Sequence, residues 1–129
     1  RGRYRRPIID LFDGRMGEAK FEAELDRIVA FEEDLDADGA LILKFWLHLS
    51  RDAQAQRLKE LESDPATKWR ATETEWEHWR EYDRYVGIVE RVIMKTNTAN
   101  APWHIVESAD NRYRDVAMAE IIHRYLLGS

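Results

Sequence analysis

The sequence contains no cysteine, so neither a disulfide bond nor a cysteine-ligated zinc site can form. It also lacks any apolar run near the ~18–20 residues that a transmembrane helix requires. The first residues are basic, but the apolar segment of a secretory signal does not follow them. We therefore predict a cytoplasmic protein that makes no contact with a membrane.

Acidic residues outnumber basic residues beyond the first six positions. The formal net charge is −5, and subtracting the four N-terminal arginines (−5 − 4) leaves −9 on the rest of the chain. Binding to nucleic-acid phosphates needs a basic face, so this acidic body disfavours nucleic acid as a partner. The chain also lacks an initial methionine, from which we expect its natural start to lie upstream. We predict a disordered, solvated terminus rather than an anion site for Arg1, Arg3, Arg5 and Arg6.

The pattern of the first half predicts a helix, a strand and a second helix. Apolar residues recur at helical spacing between Met16 and Asp38, and Gly39 ends that helix. Residues 40–49 (ALILKFWLHL) are apolar almost without alternation, which is typical of a strand buried on both faces of a parallel sheet. Ser50 is the expected N-cap of a charged helix over residues 51–62.

The pattern of the second half predicts a loop, a long helix and a short strand. Residues 64–71 form the loop, and Thr72 and Glu75 then have the spacing of a capping box. We predict a single helix over about residues 73–95. Residues 103–106 follow as a second buried strand.

The chain closes with one more helix, and the order of elements indicates the fold class. Asp110 is the candidate N-cap of this helix, which runs to Leu127 with Gly128 as its stop. Strands that alternate with helices favour an α/β fold with a parallel sheet. Two strands leave two open edges and too little area to support these helices. We therefore expect further strands from upstream sequence or from a partner chain, and a homo-oligomer if a second copy supplies them.

Several conspicuous residues are predicted to be structural. Aromatic residues at helical spacing over residues 76–85 are expected to pack between helices rather than to stack on a ligand. Lys44 lies within an apolar strand, where we expect it to reach the strand end or to pair with an acid. The histidines have no metal-ligand spacing, and all four are predicted to be structural: His48, His78, His104 and His123.

Motifs in a fixed order along the chain resemble those of the polyphosphate kinase 2 family. The strand motif KFWLHLS (residues 44–50) is followed by Gln54 and Arg57. The remaining motifs are DP (64–65), KWR (68–70), YD (82–83) with Tyr85, TNT (96–98), APW (101–103), AD (109–110) and RY (112–113). The resemblance covers nearly the whole chain from about Pro7. It is closest to an amino-terminal-type domain of the tandem-domain polyphosphate:AMP phosphotransferases, of which only the distal part is represented.

This resemblance implies a fold, substrates and a cofactor. The implied fold is a helix-rich α/β, P-loop kinase-like fold similar to thymidylate kinase. It has three layers, with a parallel sheet, helices on both faces and a helical lid over about residues 64–95. Residues 1–129 would be a single domain or the distal part of one. Family members move phosphate between polyphosphate and nucleotides with Mg²⁺, so polyphosphate and an adenine nucleotide are the expected partners of the intact enzyme. No cofactor is expected on this chain itself.

The resemblance also implies site residues. The position of Arg57 in the family's fold points toward the phosphates. Lys68 and Arg70 lie in the lid, where positive charge offsets the charge that develops during phosphoryl transfer. Asp110 and Asn111 are expected to border the nucleotide pocket. The structural alternatives are a solvated helix arginine, an ordinary basic turn and a helix cap, respectively.

The chain departs from the family pattern through the motifs that it lacks. It contains no GxxxxGK, whose backbone amides and lysine hold phosphates. It also lacks an Asp-Arg-Ser-Trp-Tyr motif, near whose place Gly2-Arg3-Tyr4 stands without an acid. We therefore predict that these residues alone cannot catalyse phosphoryl transfer. One alternative is a non-catalytic dimerisation or scaffolding domain derived from a kinase repeat, and a weaker one is a small helical interaction protein unrelated to the family.

Overall fold

The computed structural model describes residues 3–127 of the chain. β1 and β2 are adjacent and parallel, so the predicted α/β class is confirmed. The predicted helix stop Gly128 lies outside the described residues. In chain order the elements are α1 (Arg5–Phe12), α2 (Glu18–Ala37), β1 (Lys44–His48), α3 (Arg51–Ser63), a 3₁₀ turn (Lys68–Arg70), α4 (Glu73–Arg80), α5 (Tyr82–Thr96), β2 (Trp103–Glu107) and α6 (Asn111–Leu127).

The described residues form two compact units. The first contains residues 3–44 and Asp83–Trp103, and the second contains Phe45–Tyr82 and residues 104–127. Each strand therefore contributes its first residue to the first unit and its other residues to the second. Backbone hydrogen bonds join the strand ends within each unit: Lys44 N to Pro102 O at 3.4 Å in the first, and Ser108 N to His48 O at 2.8 Å in the second.

The core of the first unit is apolar and helical. Phe21, Leu25 and Ile28 are buried at spacings of four and three residues along α2, which confirms the predicted stripe. Val89 and Val92 are buried on α5. Full burial of each such side chain stabilises the fold by about 1.5–3 kcal/mol. Gly39 ends the turn after α2 with φ +90°, a conformation that glycine adopts without steric cost.

The predicted disorder of the terminus is wrong for the residues that form α1, although the arginines there are exposed to solvent as predicted. Tyr4, Ile8 and Phe12 are buried at four-residue spacing, so one face of this helix belongs to the core. Arg5 and Arg6 point into solvent, as expected for arginines. The apolar spacing was visible in the sequence, but the arginine cluster obscured it. Arg1 lies outside the described residues.

Both strands are less buried than their sequences predicted. β1 is shorter than the predicted strand over residues 40–49, and Leu41 before it is exposed. Leu47 in β1 is 41% exposed, and Ile105 in β2 is 64% exposed. Apolar strands of parallel sheets are normally covered by helices on both faces of the sheet. The described residues therefore leave part of both strands' apolar surface uncovered.

The predicted single helix over residues 73–95 is interrupted. α4 ends before Glu81, whose φ of −102° and ψ of 29° depart from helical values, and α5 begins at Tyr82. Side chains on α4 and at its end are held by fixed acceptors in the second unit. Trp79 Nε1 donates to Arg51 O at 2.8 Å, and the Tyr82 hydroxyl donates to Leu49 O at 2.7 Å. Such tertiary hydrogen bonds constrain the helix axis here, and no glycine or proline marks the interruption in the sequence.

Candidate functional site

A cavity of about 340 Å³ lies at the carboxyl ends of the two strands, within the second unit. Leu49, which follows β1, and Ala109, which follows β2, form part of its wall. Its remaining lining residues are Ala53, Gln56, Arg57 and Glu60 of α3 and Asn111 of α6. In open α/β sheets, ligands bind outside the carboxyl ends of the strands. The volume falls within the ~300–1,000 Å³ range of small-molecule sites.

Predicted caps fix the two helices that border this cavity. The Ser50 hydroxyl accepts a hydrogen bond from Ala53 N at 3.1 Å, which starts α3 directly after β1. The Asp110 carboxylate accepts from Arg112 N at 2.8 Å and from Tyr113 N at 3.0 Å, which starts α6 after β2. Both caps are confirmed. Each strand therefore runs through a short connection into a helix N-terminus at the cavity.

The cavity brings two of the predicted site residues together. Arg57 and Asn111 both line it, although they are far apart in the sequence. Arg57 is exposed and has no carboxylate within 4 Å among residues 3–127, so its guanidinium is available to an anion. Asp110 is adjacent in sequence but does not line the cavity, because its carboxylate caps α6.

The other two predicted cations lie on the 3₁₀ turn and do not line the cavity. Lys68 and Arg70 are both exposed, and neither has an ion-pair partner within the described part of the chain. Asp64 holds the turn: its side chain accepts from Ala66 N at 2.9 Å, and its carbonyl accepts from Lys68 N at 2.9 Å. Trp69 between the two cations is 74% exposed. The turn therefore presents an aromatic ring and two unpaired cations to solvent.

Aromatic side chains attach α4 to α3, as predicted for the stripe over residues 76–85. Trp76 Nε1 donates to Glu62 Oε2 at 2.7 Å, and the Arg51 guanidinium lies 4.7 Å from the centroid of the Trp79 ring. The two indoles meet edge to face, with their centroids 5.6 Å apart. These contacts give the aromatic residues a structural role.

A buried polar cluster in the first unit is structural as well. The ammonium group of Lys44 donates to Glu32 Oε1 at 3.0 Å and to Thr96 O at 2.7 Å, which confirms the expected pairing with an acid. It also lies about 5 Å from the centroids of the Tyr4 and Trp103 rings, at 5.1 and 5.0 Å. Burial lowers the pKa of Lys44, and Glu32 opposes that shift. Burial, and then the charge of Glu32, raises the pKa of the Tyr4 hydroxyl.

Sequence reasoning missed two polar residues in the cavity wall. Gln56 and Glu60 lie on α3 beside Arg57, and with Ala53 they follow the spacing i, i+3, i+4, i+7. This spacing places all four residues on one helix face. Applying it from the N-cap onward would have predicted both residues, because Arg57 was already placed toward the phosphates.

Metal-binding side chains are not clustered in the described residues. Within residues 3–127, no group of three or more histidine, aspartate and glutamate side chains could hold a metal ion. The same residues contain no helix that is long and apolar enough to cross a membrane.

Comparison with known proteins assigns the family. A family model described as polyphosphate kinase 2 (PPK2) matches residues 1–127. The chain belongs to the polyphosphate kinase 2 family. Solved PPK2 structures agree: the protein from Pseudomonas aeruginosa PA01 superimposes with a TM-score of 0.87 at 32% sequence identity, and that from Arthrobacter aurescens TC1 with 0.86 at 28%. Each match covers 95% of this chain, and the predicted P-loop kinase-like fold is thereby confirmed.

Curated members of the polyphosphate kinase 2 family are similar over most of this chain. It is 41% identical over 110 residues to a polyphosphate:AMP phosphotransferase from Pseudomonas aeruginosa. It is 38% identical over 98 residues to an AMP/ADP-polyphosphate phosphotransferase from Meiothermus ruber. These matches cover 85% and 76% of this chain, but only 22% and 37% of the two relatives. The chain thus spans a minor share of the length of the relatives, as it does for the two solved structures, at 26% and 43%.

Proposed function

We propose that this chain is the distal part of a phosphotransferase domain that moves a phosphoryl group between polyphosphate and AMP or ADP. The observation that carries the proposal is the cavity at the strand ends, whose wall includes both Arg57 and Asn111. The names of the relatives, polyphosphate:AMP phosphotransferase and AMP/ADP-polyphosphate phosphotransferase, support this choice of substrates. A phosphate-binding cation at the carboxyl ends of parallel strands suits such a reaction.

Arg57, Lys68 and Arg70 divide into two groups in this proposal. Arg57 binds a phosphate within the cavity, and Asn111 borders the nucleotide there, next to the Asp110 cap. Lys68 and Arg70 bind polyphosphate from the 3₁₀ turn, which belongs to the lid. None of the three cations has to leave a carboxylate partner in the described residues first, so no ion pair is lost on binding. Fixed positive charge stabilises the charge that develops on the transferred group.

The remaining catalytic parts are assigned to residues outside this chain. The sequence has no GxxxxGK, and the described residues offer no metal cluster. We place the phosphate-binding loop, its lysine and the Mg²⁺ carboxylate elsewhere in the intact enzyme, and we expect these 129 residues alone to be inactive. Further strands, from the same protein or a second copy, would pair with the open edges of β1 and β2. We expect the enzyme to act in the cytoplasm.

Alanine variants of the full-length protein test this function. Arg57→Ala should lower kcat/KM for AMP about 10- to 100-fold, since hydrogen bonds to charged groups contribute about 1.5–3 kcal/mol. Lys68→Ala with Arg70→Ala should lower kcat/KM for polyphosphate and flatten its dependence on salt. Lys59→Ala is the matched control, because Lys59 is exposed on α3 but does not line the cavity. Absence of phosphoryl transfer in the unaltered protein, or equal effects of Arg57→Ala and Lys59→Ala, would contradict the proposal.

The missing acid near Gly2-Arg3-Tyr4 favours a second candidate. In it, the chain is a dimerisation or scaffolding domain derived from a kinase repeat. Sedimentation and polyphosphate-binding measurements on the full-length protein distinguish the two functions. Salt-sensitive polyphosphate binding that weakens with Lys68→Ala and Arg70→Ala supports the phosphotransferase. Dimerisation that persists without any anion binding supports the scaffold.

A further inference from the structure

The cavity at the strand ends carries both signs of charge. Arg57 and Glu60 line it from the same face of α3, three residues apart, which is about 4.5 Å along the helix axis. The two side chains form no ion pair within 4 Å in the described part of the chain, so both charges are available to a ligand. The carboxamides of Gln56 and Asn111 complete the polar lining. The cavity is therefore polarised, with no net charge from these four residues.

The two proposed substrates would respond to this cavity in opposite ways. Polyphosphate carries negative charge along its whole length, so any segment near Glu60 meets a like charge at close range. A nucleotide carries its negative charge at the phosphate end only, and its ribose hydroxyls are hydrogen-bond donors. A carboxylate accepts hydrogen bonds and offers none, so it suits hydroxyl donors and repels phosphate oxygens. A guanidinium next to a carboxylate thus matches a phosphate next to a ribose.

We infer that Glu60 is a specificity-determining residue that reserves this cavity for the nucleotide and excludes polyphosphate from it. Its carboxylate accepts hydrogen bonds from the ribose hydroxyls while Arg57 binds the phosphate of the same nucleotide. Polyphosphate is left to Lys68 and Arg70, which lie outside the cavity and have no acidic neighbour within ion-pair distance in residues 3–127. This inference rests on the proposed function, because it assumes that both substrates bind to this protein.

Equilibrium binding to the full-length protein tests the proposed hydrogen bonds from the ribose hydroxyls to Glu60. AMP and 2′,3′-dideoxy-AMP, which lacks both ribose hydroxyls, are titrated against the unaltered protein and Glu60→Ala. We expect the unaltered protein to bind AMP about tenfold or more tightly than the dideoxy nucleotide, given the usual contribution of a charged hydrogen bond. In Glu60→Ala the two affinities should become equal within about twofold, as in a double-mutant cycle. A preference for AMP that survives in Glu60→Ala would overturn the inference.

Competition between the substrates tests the exclusion of polyphosphate. In steady-state assays the KM for AMP should depend little on polyphosphate concentration in the unaltered protein. It should rise severalfold with polyphosphate in Glu60→Gln, because removing the negative charge admits the polymer to the cavity. Glu33→Gln, an exposed carboxylate on α2 outside this cavity, is the charge-matched control and should behave like the unaltered protein. Equal polyphosphate inhibition in all three proteins would overturn the inference.

The two sets of results separate this inference from the proposed function. A full-length protein that binds neither AMP nor polyphosphate would contradict the proposed function, and the assignment of Glu60 would fall with it. A protein that binds both, loses AMP affinity in Arg57→Ala and is indifferent to Glu60→Ala would retain the function and lose only the role of Glu60.

Discussion

Replacing Lys44 with methionine tests how strongly the buried ion pair stabilises the first unit. Lys44 is 7% exposed and Glu32 is 4% exposed, so both charges are removed from water. Methionine preserves most of the length and apolar volume of the lysine side chain, but it removes the donors to Glu32 Oε1 and Thr96 O. The carboxylate and the carbonyl would then be buried without this cation.

The expected cost follows from the charge that is left behind. Removing one partner of a buried pair destabilises a protein by about 3–5 kcal/mol, because the other charge stays uncompensated. This is a large part of the ~5–15 kcal/mol by which a native domain is stable. Replacing both partners, as in Lys44→Met with Glu32→Leu, removes the unpaired charge as well. We expect the double variant to lose less than about 2 kcal/mol, so that the two single effects are far from additive.

Urea denaturation of the full-length protein, followed by tryptophan fluorescence, measures these free energies of unfolding. The control is Lys20→Met, an exposed lysine on α2 without an ion-pair partner in the described residues, which should change stability by no more than about 0.5 kcal/mol. A loss below about 1 kcal/mol in Lys44→Met would refute the reasoning. So would a double variant that is destabilised by the sum of the two single effects.

Three further predictions concern stability. Burial, and to a lesser extent Arg124, lowers the pKa of His104, whose Nε2 is buried without a hydrogen-bond partner in the described residues. As the pH falls, the unfolded chain takes up this proton at a higher pH than the folded chain does. The stability of the fold should therefore decrease as the pH drops below about 6.5. Urea midpoints measured across this pH range should decrease less in His104→Phe. Gly39→Ala should cost about 1 kcal/mol because its φ is +90°. Gly87→Ala within α5 should stabilise by about 0.5–1 kcal/mol in the same assay, because the added methyl group would have no atom outside the neighbouring backbone of α5 within 4 Å.

Features decided by neighbouring residues could be predicted from the sequence. The caps at Ser50, Thr72 and Asp110 are all confirmed, because each depends on a side chain and an amide two or three residues later. The apolar stripe of α2 and the start of β2 were also predicted, since both follow from a short period in the sequence. The family motifs then supplied the fold class, which two strands alone could only suggest.

Features decided by distant residues were predicted less well. The interruption after α4 coincides with hydrogen bonds from Trp79 and Tyr82 to backbone carbonyls about thirty residues earlier, and no local signal marks it. The helix α1 was not predicted, because the arginines near its start indicated a solvated terminus although apolar residues recur there every four positions. At the site, Arg57 was predicted from the family resemblance, whereas Glu60 was missed because no pattern was applied along the rest of that helix face.

The hydrogen bonds that shape the 3₁₀ turn do not involve the charged side chains of Lys68 and Arg70. Asp64 accepts from three backbone amides and the Thr67 hydroxyl donates to Leu61 O, so the turn keeps its shape without any help from Lys68 or Arg70. Substitutions at the two cations therefore carry almost no folding cost. The charge of this exposed segment can therefore be varied by substitution while the hydrogen bonds that shape the turn are retained.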